Sequence, residues 1–172
     1  TAIIHVYKNR FPKKLEASLD LGEAYWKLDD KESAKREWTE AENNFGSHAT
    51  IYKKFFYLYT NLGLSEEVQS MIIRARLKFN DPALLSMDIA NYHYSRKSFK
   101  TAIIEYLNYL SAHPVQIKMI TDRILLISDD EDSHYIIVDI LNEKIRKNSS
   151  IFRSVLAGFY FNPGKRFCTR ST

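Results

Sequence analysis

Residues 15–48 read LEASLDLGEAYWKLDDKESAKREWTEAENNFGSH, and a new stretch of the same length and pattern can be started at Ala49, Ala83, Ile117 and Ile151 with no insertion or deletion. In the first stretch Leu21-Gly22 precedes Tyr25, and Ala34, Trp38 and Ala41 follow at offsets of four and three. Residues three and four apart share one face of a helix, so Ala34, Trp38 and Ala41 predict an amphipathic helix behind a first helix that carries Gly22. Glycine in a helix interior costs about 0.5–1 kcal/mol relative to alanine, which points to a close backbone approach at Gly22. Gly158 falls at the same place in the last stretch.

The later stretches keep the pattern with falling fidelity. The second has Tyr59, Gly63 and Ala75, but Phe56 and Val68 stand at the two small-residue positions. The third has Ala90, Ala102, Tyr106 and Pro114, with His93 in place of the tyrosine; the fourth retains only apolar periodicity through Ile120, Ile124, Ile127, Ile136 and Ile140. Pro12 and Pro114 share one repeat position with Gly46, and Pro82 lies two places later, as expected of residues that end helices. The expected helices are 15–28, 31–45, 49–62, 65–79, 83–96, 99–112, 117–128, 132–147 and 151–162, after a leading helix through about residue 10 that would carry Ile4 and Tyr7.

A 34-residue period with these residues at these offsets resembles the tetratricopeptide repeat, over nearly the whole chain. The resemblance implies an all-α fold, a right-handed α-solenoid of antiparallel helix pairs. Its divisions would be 1–14 (the end of a preceding repeat), 15–48, 49–82, 83–116, a divergent 117–150, and 151–162 as the first helix of a partial fifth repeat. Residues 163–172 form an irregular basic tail, read either as foreign to the array or as a cap folding back. A chain that starts and stops inside a repeat is expected to be a piece of a longer repeat protein, and its uncapped terminal helices suggest a route to self-association.

Composition narrows the function. The chain of 172 residues carries a net charge of +4, yet residues 1–150 hold 21 basic and 21 acidic side chains. The surplus is Arg153, Lys165, Arg166 and Arg170. Nucleic-acid recognition needs a basic stripe along the fold, so this pattern argues against it. Pentatricopeptide arrays, the RNA-binding relatives of this plan, also run at 35 residues rather than 34. A single cysteine excludes a disulfide framework, and no apolar run is long enough to span a membrane.

No catalytic or metal-binding motif is present. The five histidines show no HExxH spacing, Cys168 has no placed base, and Asp129-Asp130-Glu131-Asp132 has His134 and Ile140 where a calcium loop requires glycine and glutamate. These acids are read instead as charges at a helix start, where they complement the dipole. Asn148-Ser149-Ser150 matches a glycosylation sequon, which carries meaning only in a secreted eukaryotic protein. His93 is read as a core-lining residue. The expectation is therefore a protein with no enzyme activity and no cofactor.

In the family that the chain resembles, the first helices line a concave groove that takes a peptide. Carrying its groove-facing positions over gives Trp26, Lys53, Tyr57, Asn61, Met87, Asn91 and Tyr94 as the expected peptide-binding surface, running over three repeats, with Leu19, Glu23 and Thr121 among the other positions of that register. Aromatic rings beside amides suit a protein or peptide partner, the rings burying area and the amides bonding backbone. The carboxylate clamp that some family members use fits poorly: Lys53, Tyr57, Asp88, Lys118 and Asp122 match two of five places and bring in two acids. An RNA-binding helical repeat and a regulatory module of an enzyme lying outside this sequence are the alternatives.

Overall fold

Three turns with one backbone geometry organise the chain. Asp29, Gly63 and Lys97, each 34 residues after the last, adopt φ of 61°, 73° and 57°. At each turn the next residue's N–H reaches back five residues: Asp30 to the Tyr25 carbonyl (3.0 Å), Leu64 to Tyr59 (2.9 Å) and Ser98 to His93 (2.9 Å). The left-handed residue itself donates to the carbonyl three back, at Trp26, Thr60 and Tyr94. This is the Schellman closure, which satisfies carbonyls that a helix end leaves open.

The structure is a computed structural model that describes residues 2, 6, 9, 10, 14–128, 131–147 and 150–161. Among the described residues it is all helix and turn, with no strand. The helices are α1 (Leu15–Lys27), α2 (Lys31–Phe45), α3 (Thr50–Asn61), α4 (Ser65–Phe79), α5 (Ser86–Ser95), α6 (Phe99–Ala112), α7 (Ile117–Ile127), α8 (Glu131–Arg146) and α9 (Ser150–Tyr160), with a 3-10 turn at Pro114–Gln116. The leading helix with Ile4, Tyr7 and Pro12, the Asp129-Asp130 turn, the Asn148-Ser149 pair and the basic tail with Cys168 lie outside the described residues, apart from single positions near the start.

The chain divides into two compact units, 1–84 and 85–172. In the first, α1 packs with α2, α3 packs with α4, and α1 also meets α3. The α1–α2 contact is built as the spacing predicts. Ala34 and Ala41 are fully buried, and Trp38 lies over Gly22. A methyl group on Gly22 would stand 2.5 Å from Trp38 Cδ1 and 2.8 Å from Cε2. The indole Nε1 donates to the Leu19 carbonyl at 3.4 Å, and its ring meets Tyr59 edge-on at 5.3 Å. A side chain of α2 is thereby tied to both α1 and α3. Asp30 caps α2, its carboxylate accepting the Ser33 N–H at 3.1 Å.

A second tie is polar. Arg74 Nη2 on α4 donates to Glu42 Oε2 on α2 at 2.7 Å. The buried Tyr52 hydroxyl donates to the same carboxylate, and burial, reinforced by that negative charge, pushes its pKa up to about 12.

In the second unit α5 packs with α6 around Ala90, Ala102 and Ile103. The fourth repeat is where the pairing loosens: α7 rests on α6 and α9 and meets α8 at few points, while α8 packs on α6 and α9. Gly158 on α9 faces Thr121 on α7, whose Cγ2 would lie 3.0 Å from an added Cβ. A part-buried polar chain threads this unit: Ser86 Oγ donates to Glu105 Oε2 (2.6 Å), Asn108 Nδ2 to Glu105 Oε1 (3.4 Å) and Lys144 Nζ to Asn108 Oδ1 (3.2 Å). At its end α9 exposes Tyr160 and Phe161.

The third repeat departs from expectation at its start. A helix from 83 is replaced by a link that delays α5 until Ser86. Asn80 closes α4 in the left-handed region (φ 48°), Asp81 Oδ1 accepts the Ala83 N–H at 2.9 Å, and Leu85 is held at φ 64°. Burial of Ala83 and Leu85 secures this conformation, which is costly for leucine.

Candidate binding groove

The groove register maps onto each unit differently. In the first, α1 and α3 border an open cavity of about 210 Å³ lined by Leu19, Asp20 and Glu23 from α1 and by Leu58, Asn61 and Leu62 at the end of α3. Leu19, Glu23 and Asn61 are groove positions in the repeat register; Asp20, Leu58 and Leu62 were not picked out by it. Tyr57, 41% exposed, and the exposed Lys53 project from the same helix. Trp26 is held differently. It is half-buried, its ring 5.8 Å from Trp38, and Lys31 Nζ sits 5.6 Å from its centroid. It extends the core contact as much as it presents a surface.

The acids of α1 form one stripe, Glu16, Asp20 and Glu23, at helical spacing. Lys54 pairs with Glu16, and Lys27 with Glu23 at 2.6 Å. Asp20, between them, makes no ion pair among the described residues. Asp20 is an exposed residue, and partial desolvation at the cavity edge raises its carboxyl pKa, with the charges of Glu23 and Glu16 pushing the same way. Sequence reasoning did not pick out Asp20; the four- and three-residue spacing of these acids was the one signal available for it.

In the second unit the three register residues are partly committed to structure. Met87 and Tyr94 are half-buried against the core, Tyr94 with its ring 6.1 Å from Phe99. Asn91 Oδ1 accepts from the Tyr106 hydroxyl at 2.9 Å and from Arg123 Nη1 at 3.3 Å. Their exposure is therefore smaller than the register alone suggests. His93 is half-buried, its buried Nδ1 has no hydrogen-bond partner among the described residues, and burial lowers its pKa. Lys118, of the clamp register, donates to Asp122 at 2.9 Å.

Among the described residues no group of three or more His, Cys, Asp or Glu side chains could hold a metal ion. No helix there is long and apolar enough to cross a membrane. No protein-family model matches the chain, no curated protein matches it in sequence, and no solved structure matches it in fold.

Proposed function

We propose that this chain is a non-enzymatic interaction scaffold of the tetratricopeptide type, a right-handed superhelix of antiparallel helix pairs whose first helices receive a protein or peptide. One observation carries the reading: the first unit's cavity lies between the first helices of two successive repeats, and half its lining comes from the positions that the repeat register assigns to the groove. The recurrence of one turn at 34-residue intervals, with the Gly22–Trp38 contact, supports the family likeness. Leu19, Leu58 and Leu62 offer apolar wall, and Asn61 offers both an amide donor and an acceptor for extended backbone.

The test compares capture by the full-length protein with capture by its Tyr57→Ala and Asn61→Ala variants. Partners that co-purify with the parent should be depleted from both variants while melting temperature is held. Undiminished capture by both variants overturns the reading, as does a loss of capture that only accompanies unfolding.

A further inference from the structure

We infer that the cavity between α1 and α3 receives a lysine or arginine side chain from the bound peptide. The inference rests on the groove reading above and deepens it. At about 210 Å³ the cavity is below the ~300–1,000 Å³ of small-molecule sites and on the scale of one long side chain. Its wall is Leu19, Leu58 and Leu62, and its polar groups are Asp20, Glu23 and Asn61. Lysine and arginine combine an aliphatic stem with a charged head, the pairing that an apolar wall with an acidic rim matches.

Charge selects among occupants. Asp20 stands between two other carboxylates, and every influence that moves its pKa disfavours the charged form. Glu16 and Glu23 have lysines; Asp20 has no ion pair among the described residues. A cationic head beside it supplies the missing counter-charge. An acidic side chain would meet the Asp20 and Glu23 carboxylates of the lining, and an apolar one would further desolvate Asp20 with no compensation. A hard metal cation is a poor match for a wall of three leucines, since calcium takes six or more oxygens and magnesium keeps several waters. Specificity here is a matter of which side chain leaves no charge uncompensated.

The experiment titrates the isotope-labelled chain with three capped tripeptides, Leu-Lys-Leu, Leu-norleucine-Leu and Leu-Glu-Leu, reading amide shifts by NMR at 19–23 and 58–62 and at the Asn61 side chain. Norleucine keeps the stem of lysine and removes its charge. The lysine peptide should bind at least about fivefold more tightly than the norleucine peptide, the scale of one partly screened ion pair. That preference should vanish in Asp20→Asn and shrink with added salt, while the glutamate peptide binds weakest. Equal binding of the lysine and norleucine peptides at these amides overturns the inference and leaves the groove reading standing. A preference that survives Asp20→Asn also overturns it. If none of the three moves these amides, both readings fall. A melting curve for Asp20→Asn at or above the parent's keeps loss of preference distinct from loss of fold.

Discussion

Replacing Gly22 by alanine tests the contact on which the first helix pair depends. The new methyl would sit 2.5 Å from Trp38 Cδ1 and 2.8 Å from Cε2. Restoring ordinary contact of about 3.5 Å requires the indole to move by about 1 Å. The ring has little freedom to do so. It is 2% exposed, bonded to the Leu19 carbonyl, and bounded by Trp26 on one side and Tyr59 on another. Overpacking of this kind costs about 1–3 kcal/mol. Against it stands a gain of about 0.5–1 kcal/mol from removing a mid-helix glycine. Taken at the midpoints of these ranges, the net loss is about 1.3 kcal/mol, which for a chain of this size lowers the melting temperature by about 3–5 °C. Both tryptophans of the chain, Trp26 and Trp38, lie at this contact, so their emission reports on it directly during urea unfolding. Adding Trp38→Phe, a smaller ring, should recover part of the loss, with a coupling of at least about 0.5 kcal/mol. A Gly22→Ala protein as stable as its parent, with unshifted emission, would refute the close approach.

Tyr57→Ala should leave melting nearly unchanged, because the ring is 41% exposed, whereas Tyr59→Ala, which removes a buried ring packed on Trp38 and Phe55, should cost about 3–5 kcal/mol in a urea titration. Asp20 has a raised pKa in the folded chain, so folding takes up protons between the unfolded and folded values and stability falls as pH rises through that window. Asp20→Asn should therefore melt higher than the parent at pH 7, with the difference closing below the ordinary carboxylate range. For His93 the sign is opposite. Burial first, with Arg96 adding and Glu105 opposing, lowers its pKa, so its neutral form supports folding above the ordinary imidazole range and stability is lost as pH falls from there through the lowered value. His93→Phe should flatten the melting profile between pH 7.5 and 5.

The helical plan was legible because it depends on spacing. Gly22, Ala34 and Trp38 announce a contact whose geometry leaves few other residues possible, and the expected helix limits agree with the observed ones to within a residue or two except at α5. That exception rests on Leu85 in the left-handed region, which no propensity for leucine signals. The groove was legible only as a register. A repeat position says which way a Cα–Cβ bond points, not where a long side chain ends. Trp26 leans onto Trp38, Tyr94 rests on the core beside Phe99, and Asn91 is engaged by Tyr106 and Arg123. Asp20 went unnoticed for the complementary reason. Its neighbourhood is set by the end of α3, about forty residues away in the chain, and an acid on a helix surface looks the same whether it borders solvent or a cavity.

The turns at Asp29, Gly63 and Lys97 share main-chain bonds although an acid, a glycine and a base occupy them. The hand-over from one helix to the next is thus written in peptide groups, which every residue carries, and not in any particular side chain. Such a joint is indifferent to what the flanking helices display. An exposed residue on either flanking helix can therefore be exchanged without disturbing the main-chain bonds that close the turn.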